Sequence, residues 1–362
     1  LSDNSLGRSL LMVSFGESHG EAVGVLIEGI PAGTEIDEKR INEWLARRKP
    51  STSLASTKRK EDDTVEILSG VYRGKATGAP FVAIVRNKGY VDDFYSFAEE
   101  GWVRPGHADY PAYIKYKGFN DPRGGGRFSA RITVGFVIAG AVAEEILKPL
   151  RIEVVGYTKS IGPVECPDFD IDNARKRYEF ETRCPSAEHD ALMQEEILKA
   201  KREGDSLGGT VRIITGKLPV GLGQPVFSSL DSELAKAYFS IPAVKGVEFG
   251  AGFRASKLRG SQNNDIYVLS NNEITTLTNN AGGILGGMTN GQPLIATIAF
   301  KPVSSIYRPQ RTVNVKKIEE GVLQLKGMHD ACVIPRAVPI AEALTYFVFA
   351  DMALRGGFIN ER

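Results

Sequence analysis

The chain has 362 residues, 42% of them hydrophobic and 25% charged. That balance suits a folded, water-exposed protein with one large core or two moderate ones, and excludes a fibrous or disordered chain. Its 45 Lys and Arg against 44 Asp and Glu leave a formal charge of +1, so no global field draws it to nucleic acid or an anionic membrane, and any anion site must be local.

Leu1 to Arg8 show no basic region ahead of an apolar stretch, and the run Leu10 to Val13 is too short to span a bilayer. No signal or membrane span is expected, and the start on Leu1 rather than Met leaves a removed leader open. A strand is expected from Ala22 to Ile30, ended by Gly29, Pro31 and Gly33. Asp37 can cap a helix through Arg48 that carries Ile41, Trp44 and Leu45 on one face. Strands follow at Val65 to Tyr72 and Pro80 to Val85, then a Gly-rich loop and an apolar helix from Ile132 to Leu147. Ser186 to Gly204 reads as a polar connector helix, acidic early and basic late as the helix dipole prefers. Beyond it the order repeats: TVRIITGKLPVG resembles VLIEGIPAG, a helix covers Ser232 to Ser240, and strands cover Gly246 to Phe249 and Pro293 to Phe300. ATGAPFVAIV also matches TNGQPLIATIA, and an apolar helix, Val338 to Leu354, closes the chain.

The expected architecture is a single α+β domain over 1–362, a layered β-α-β sandwich with helices packed on antiparallel or mixed sheets. Its internal pseudo-repeat covers roughly 1–160 and 205–355, joined by the helix near 186–204. The stretches 116–127 and 255–291 exceed ordinary connectors, which marks functional loops. Cys166, Cys184 and Cys332 have no CxxC spacing and leave one unpaired in any scheme. They read as structural thiols in a reducing, cytoplasmic setting.

Three of the four histidines fall in loops: His19 in FGESHG, His107 in RPGHADY and His329 in KGMHD. His189 lies on the polar connector, where a solvated histidine is the better reading. Arg104 and Asp109 flank His107 and could tune an imidazole that titrates near neutrality. Cations gather at Arg47 to Lys49, at Arg123 and Arg127 around three glycines, and at Arg308 and Arg311. The RGGGR loop before a helix offers free N–H groups and guanidinium forks to an anion, although a solvated turn explains it as well. There is no P-loop, no GxGxxG in a Rossmann context, no HExxH and no GxSxG. A metal-dependent phosphatase would draw on Glu17 with His19, His107 with Asp109 and His329 with Asp330. Against it stand the missing i, i+4 ligand spacing and the arginines. A nucleic-acid module would need a basic stripe that the sequence lacks.

FGESHG, RRKP, RPGHADY, DPRGGGRFSAR, GLGQPVF, AVKGVE, RGSQN, AGGILGG and KPVSSI occur in the order and near the spacing of one family. On these motifs the chain resembles chorismate synthase along nearly its whole length. The resemblance implies conversion of 5-enolpyruvylshikimate 3-phosphate to chorismate and phosphate with reduced FMN and no net redox change. NADPH would serve as an indirect reductant, with flavin reduction by the chain itself or by an external flavin reductase left open, and the assembly would be a homotetramer. It assigns His19 to protonating the leaving phosphate, His107 to protonating the reduced flavin, and Asp330 to assisting flavin N5. It places Arg48, Arg127, Phe128, Ser129, Pro242, Ala243, Gly286, Lys301, Pro302, Val303, Ser304, Ser305 and Met328 at the cofactor. Arg48, Arg131 and Arg336 fall to the substrate, and no metal is implied. Three positions depart from the family: Met328 and Leu54 stand where arginine is common, and Phe128 where serine is frequent. Arg308 and Lys326 are candidates for replacement charge.

Overall fold

Alternating side chains give this protein sheets with one buried face. Ile295–Phe300 shows the pattern clearly, with Ala296, Ile298 and Phe300 inward and their neighbours half-buried. The computed structural model describes residues 3–49, 63–88, 95–325 and 330–360. Within them, the first five-stranded sheet holds β1 (Ser5–Leu6), β2 (Leu11–Gly16), β3 (Ala22–Glu28), β4 (Glu66–Ser69) and β5 (Phe81–Arg86) in the order β1-β2-β3-β5-β4. The second holds β6 (Val154–Ile161), β7 (Val164–Glu165), β8 (Gly209–Thr215), β9 (Val244–Phe249) and β10 (Ile295–Phe300) in the order β9-β10-β8-β6-β7. All pairings in both sheets are antiparallel. The main helices are α1 (Glu38–Arg47), α2 (Asp109–Lys115), α3 (Thr133–Leu147), α4 (Ala187–Arg202), α5 (Leu230–Phe239) and α6 (Ile334–Arg355).

Helices α3 and α6 carry apolar residues around their whole circumference, so nearly all of each is enclosed. Helix α3 packs on β2, β3 and β5, α6 packs on β6 and β8, and the two helices pack on each other between the sheets. Glycine makes that closeness possible. A Cβ on Gly140 would lie 2.3 Å from Ala343 Cα, and one on Gly135 would lie 2.7 Å from the Gly24 carbonyl oxygen. Among the described residues α6 alone is long and apolar enough to cross a membrane, yet its apolar window is wholly buried in this core.

Two buried carboxylates fasten α6. Asp351 accepts the backbone N–H groups of Arg8, Ser9 and Leu10 at 3.0, 2.8 and 3.0 Å, tying it to the β1–β2 turn. Glu342, fully buried, accepts from Gly156 N and Tyr178 Oη, both at 2.7 Å, and pairs with Arg177 at 2.5 Å. A charge so placed is tolerated only because each oxygen is paired.

The α+β class and its layers agree with the sequence reading. Asp37 caps α1 through Lys39 N, and Ile41, Trp44 and Leu45 are buried on one face. The β3-β5-β4 order of the first sheet matches β8-β10-β9 of the second, with α1 and α5 after the leading strands. Other expectations needed correction. Helix α6 starts at Ile334 rather than Val338, because Pro335 suits the first turn and Pro339 is absorbed near that end. Helix α4 is not simply a solvated connector: Asp190, Met193, Ile197 and Ala200 are buried along one side.

Gly140→Ala should force the central helices apart and lower stability by about 1–3 kcal/mol, as overpacking of a tight core does. A urea midpoint equal to that of the native chain would show that the close approach is not required.

Candidate functional site

The N-terminal ends of α3 and α6, the C-terminal end of α1 and the segments after α5 and β10 converge on one cavity of about 700 Å³. Eight of its lining residues are Lys or Arg: Arg48, Lys88, Arg104, Arg127, Arg131, Lys245, Lys301 and Arg336. Among the described residues one, Asp330, is acidic. For a chain of net charge +1 this is a strong local excess, and the two helix N-termini add positive potential.

Carboxylates at the rim hold the arginines apart. Asp63 takes Arg48 Nη1 at 3.3 Å on one oxygen and Arg131 Nη1 at 2.7 Å on the other. Arg48 caps α1 and also donates to Thr133 Oγ1 at 3.1 Å, and Arg131 Nε donates to Asn87 Oδ1 at 2.9 Å. Arg336 pairs with Asp330 at 2.5 Å and donates to the Arg48 carbonyl at 3.3 Å.

The opposite wall is built on Arg104. Its Nε and Nη2 each reach one oxygen of Asp109 at 2.8 Å, and Nη1 donates to Ser305 Oγ at 3.2 Å. His107 Nδ1 lies 2.5 Å from Asp109 Oδ1 and 3.1 Å from Arg104 Nη2. Burial lowers the His107 pKa and Arg104 lowers it further, more than the Asp109 hydrogen bond raises it, so the ring is held below its ordinary value of 6.5. Burial would raise Asp109, but the Arg104 and His107 hydrogen bonds outweigh it and keep the carboxylate ionised well below its usual range. Lys301 donates to the Gly106 carbonyl and Ser304 Oγ, both at 3.0 Å, and burial with nearby Lys245 lowers its pKa.

The RGGGR loop runs between the two histidines. Gly124, Gly125 and Gly126 all have positive φ, at 57°, 83° and 50°. A Cβ on Gly124 would stand 2.2 Å from His19 Cε1, and one on Gly125 would stand 3.1 Å from His107 Cε1. His19 is buried, with its ring edge against Tyr95 at a centroid distance of 4.8 Å. Phe239, Ile241, Val244, Ala337 and Ile340 add an apolar wall.

Of the residues singled out in the sequence, the cavity wall contains His19, His107, Asp330, Arg48, Arg127, Phe128, Ser129, Arg131, Pro242, Ala243, Lys301, Val303, Ser304, Ser305 and Arg336. Gly286 is not in that wall; it sits at the tip of the hairpin Ile284–Leu285 with Met288–Thr289. Pro302 is also outside it, turned to Gly208. Arg127 gives its guanidinium to Asn4, Ser14 and Gly16, which makes it a brace for β2 more than an anion fork. Arg308 pairs with Asp205 at 2.8 Å and does not reach the cavity, so it is no replacement charge. Arg123 likewise pairs with Asp121 at 2.9 Å. Leu54, Lys326, Met328 and His329 lie outside the described residues. His189 bonds Ser186 Oγ at 2.9 Å at the start of α4. Sequence reading missed Asp63, Asn87, Lys88, Tyr95 and Lys245; of these only Lys245, inside AVKGVE, carried a signal. Among the described residues no cluster of three His, Cys, Asp or Glu is arranged to hold a metal.

A family model described as chorismate synthase matches residues 10–354. A chorismate synthase of Dehalococcoides mccartyi is 47% identical over 357 residues, 98% of each chain. One of Korarchaeum cryptofilum is 48% identical over 350 residues, 96% of this chain and 97% of that one. A solved crystal structure of a chorismate synthase superposes with a TM-score of 0.76 at 30% identity, covering 97% of this chain and 93% of the other.

Gly124→Ala should abolish most function while the chain still folds, because its Cβ would strike His19 Cε1 and Ser18 Oγ at 2.2 and 2.7 Å. Native-like ligand affinity and turnover in that variant would show that the histidine has room to move aside.

Proposed function

The chain belongs to the chorismate synthase family, and from that premise we propose that its basic cavity binds reduced FMN beside the substrate, with His19, His107 and Asp330 as the proton-handling groups. Family membership itself gives the activity: a carbon–oxygen lyase that eliminates phosphate from 5-enolpyruvylshikimate 3-phosphate to form chorismate, the last step of the shikimate pathway.

The observation that carries the cavity assignment is that, among the described residues, eight cationic side chains and a single carboxylate line one space together with His19 and His107. A substrate with a phosphate and two carboxylates, next to a flavin phosphate, needs that excess, since burying such anions unpaired is costly. The cavity also fits a flavin in kind. Its volume lies within the roughly 300–1,000 Å³ of small-molecule sites, the apolar wall from Phe239 to Val244 suits a planar ring, and two glycines bring backbone close. Bound there, reduced flavin supplies transient electron density to the ring and an acceptor for the proton from C6, with no net redox change.

The chain's own groups do the rest. Arg48, Arg131 and Arg336, held by Asp63 and Asp330, orient the anionic substrate from one side. Lys301, Ser304 and Ser305 with Lys245 face them from the other, at the cofactor. His19 donates a proton to the departing phosphate, and His107 manages a proton at Nε2. Ile241, Val244 and Ile340 keep water from the reacting carbons.

We extend the reading to a homotetramer in a reducing cytoplasm that draws on NADPH through its own site or a separate flavin reductase. Leu269 and Ile274 on an exposed hairpin are 79% and 72% accessible, which supports burial against another copy. Three free cysteines support the compartment. The shared strand order of the sheets supports an origin by duplication.

Under strictly anaerobic conditions with chemically reduced FMN, the protein should release inorganic phosphate and chorismate in equal amounts. Absence of phosphate would end the reading. His107→Ala should keep its melting temperature and lose about 10²-fold in turnover; undiminished turnover would remove His107 from the chemistry.

A further inference from the structure

His107 is held more tightly than a loop histidine needs to be. Asp109 accepts from Arg104 at Nε, Nη2 and the backbone N, at 2.8, 2.8 and 3.0 Å, and stands 2.5 Å from His107 Nδ1. Arg104 is itself buried and anchored by Ser305 Oγ. The carboxylate therefore cannot turn away from the imidazole.

Two tautomers of the neutral ring compete for this arrangement, and the distances separate them. If Nδ1 were bare, it would accept from Arg104 Nη2 at 3.1 Å while its lone pair faced an ionised carboxylate oxygen at 2.5 Å. That contact is repulsive without a proton between the atoms. If Nδ1 carries the proton, the short contact is a charge-assisted hydrogen bond, and Arg104 Nη2 keeps its 2.8 Å bond to the same Asp109 oxygen. The second arrangement satisfies every group. It leaves Nε2 bare on the edge next to Gly125, where a Cβ would stand 3.2 Å from Nε2 and cover it.

We propose that Asp109, clamped by Arg104, is a positioning residue that holds the His107 proton on Nδ1 and presents an unprotonated Nε2 to the cavity until an anion enters. The proposal deepens the reading above and rests on it only for the reaction. The groups that set the ring's charge are Asp109, which favours the imidazolium, and Arg104 and Lys301, which oppose it together with burial. An incoming polyanion offsets the two cations. Nε2 then takes one proton from water, the Nδ1–H bond to Asp109 stays intact, and the resulting imidazolium is the form that can donate. His107 is thus loaded by ligand binding and does not wait as a permanent acid.

Histidine-selective ¹⁵N labelling of the ligand-free protein tests this without flavin or turnover. Above pH 7 His107 should show a protonated Nδ1 and a bare Nε2. Inorganic phosphate or the substrate ester should raise its titration midpoint. In Asp109→Asn the midpoint should fall further, because the carboxylate that raises it is gone, and the fixed tautomer should be lost. Turnover should drop by about 10²-fold with KM little changed and the alkaline limb of the pH profile moved to lower pH. A native Nε2–H tautomer overturns the proposal, and so does an Asn variant with native tautomer, midpoint and pH profile. If that variant does not fold, the tautomer of the native protein decides alone. If the spectra agree but even native protein releases no phosphate with reduced FMN, the flavin reading fails and the positioning role stands.

Discussion

Repulsion among cations gathered at one cavity is the constraint that the rest of this structure answers. Two like charges 4 Å apart near a protein surface oppose each other by about 4 kcal/mol, so a wall bearing eight Lys and Arg cannot simply be assembled. Three aspartates manage it in different ways. Asp63 bridges two guanidiniums, Asp330 takes one, and Asp109 shares one with an imidazole. They fix directions and do not cancel the total, since the cations outnumber them. The surplus is what a polyanionic ligand meets.

Where the surplus sits is decided by the two enclosed helices. Arg131 and Thr133 stand at the start of α3, and Asp330, Val333 and Arg336 at the start of α6. These ends open on the same cavity because Gly140 lets the helices touch at Ala343. Glu342 and Asp351 then lock α6 to β6 and to the β1–β2 turn. Sliding α6 along its axis would carry Arg336 away from the Arg48 carbonyl and open the arginine–aspartate chain. Core packing and the arginine–aspartate chain at the cavity are one mechanical unit here.

Much of the site was legible because its parts lie in short, distinctive loops: FGESHG, RPGHADY, RGGGR and KPVSS each supply lining residues. The fold class was legible from periodicity, down to the cap at Asp37. What stayed hidden were partnerships between distant residues. Asp63 meets Arg131 across 68 positions, and no local pattern announces which carboxylate will join which guanidinium. Tyr95 packs on His19, and Asn87 accepts from Arg131 while donating to the Glu17 and Gly20 carbonyls, contacts that leave no periodic trace. Gly286 and Pro302 went the other way: they lie in or beside segments that looked functional, yet neither is in the cavity wall. Arg127 reads as an anion fork until its carbonyl and hydroxyl acceptors on β2 are seen.

The two histidines flank one loop in different surroundings. Both lie against consecutive glycines of RGGGR, so the loop can carry a side chain at neither position without pressing on an imidazole. Their surroundings then differ in kind. His19 is buried with its ring nearly perpendicular to that of Tyr95 and within electrostatic reach of Asp121, whereas His107 is wedged between an ionised carboxylate and a guanidinium. On the proposed reading the pair would serve two proton-transfer events in one turnover, one at the departing phosphate and one at the cofactor. Keeping both rings in place requires the loop to stay thin at Gly124 and Gly125, while a Cβ on Gly126 would stand 2.4 Å from the Asp121 carbonyl oxygen.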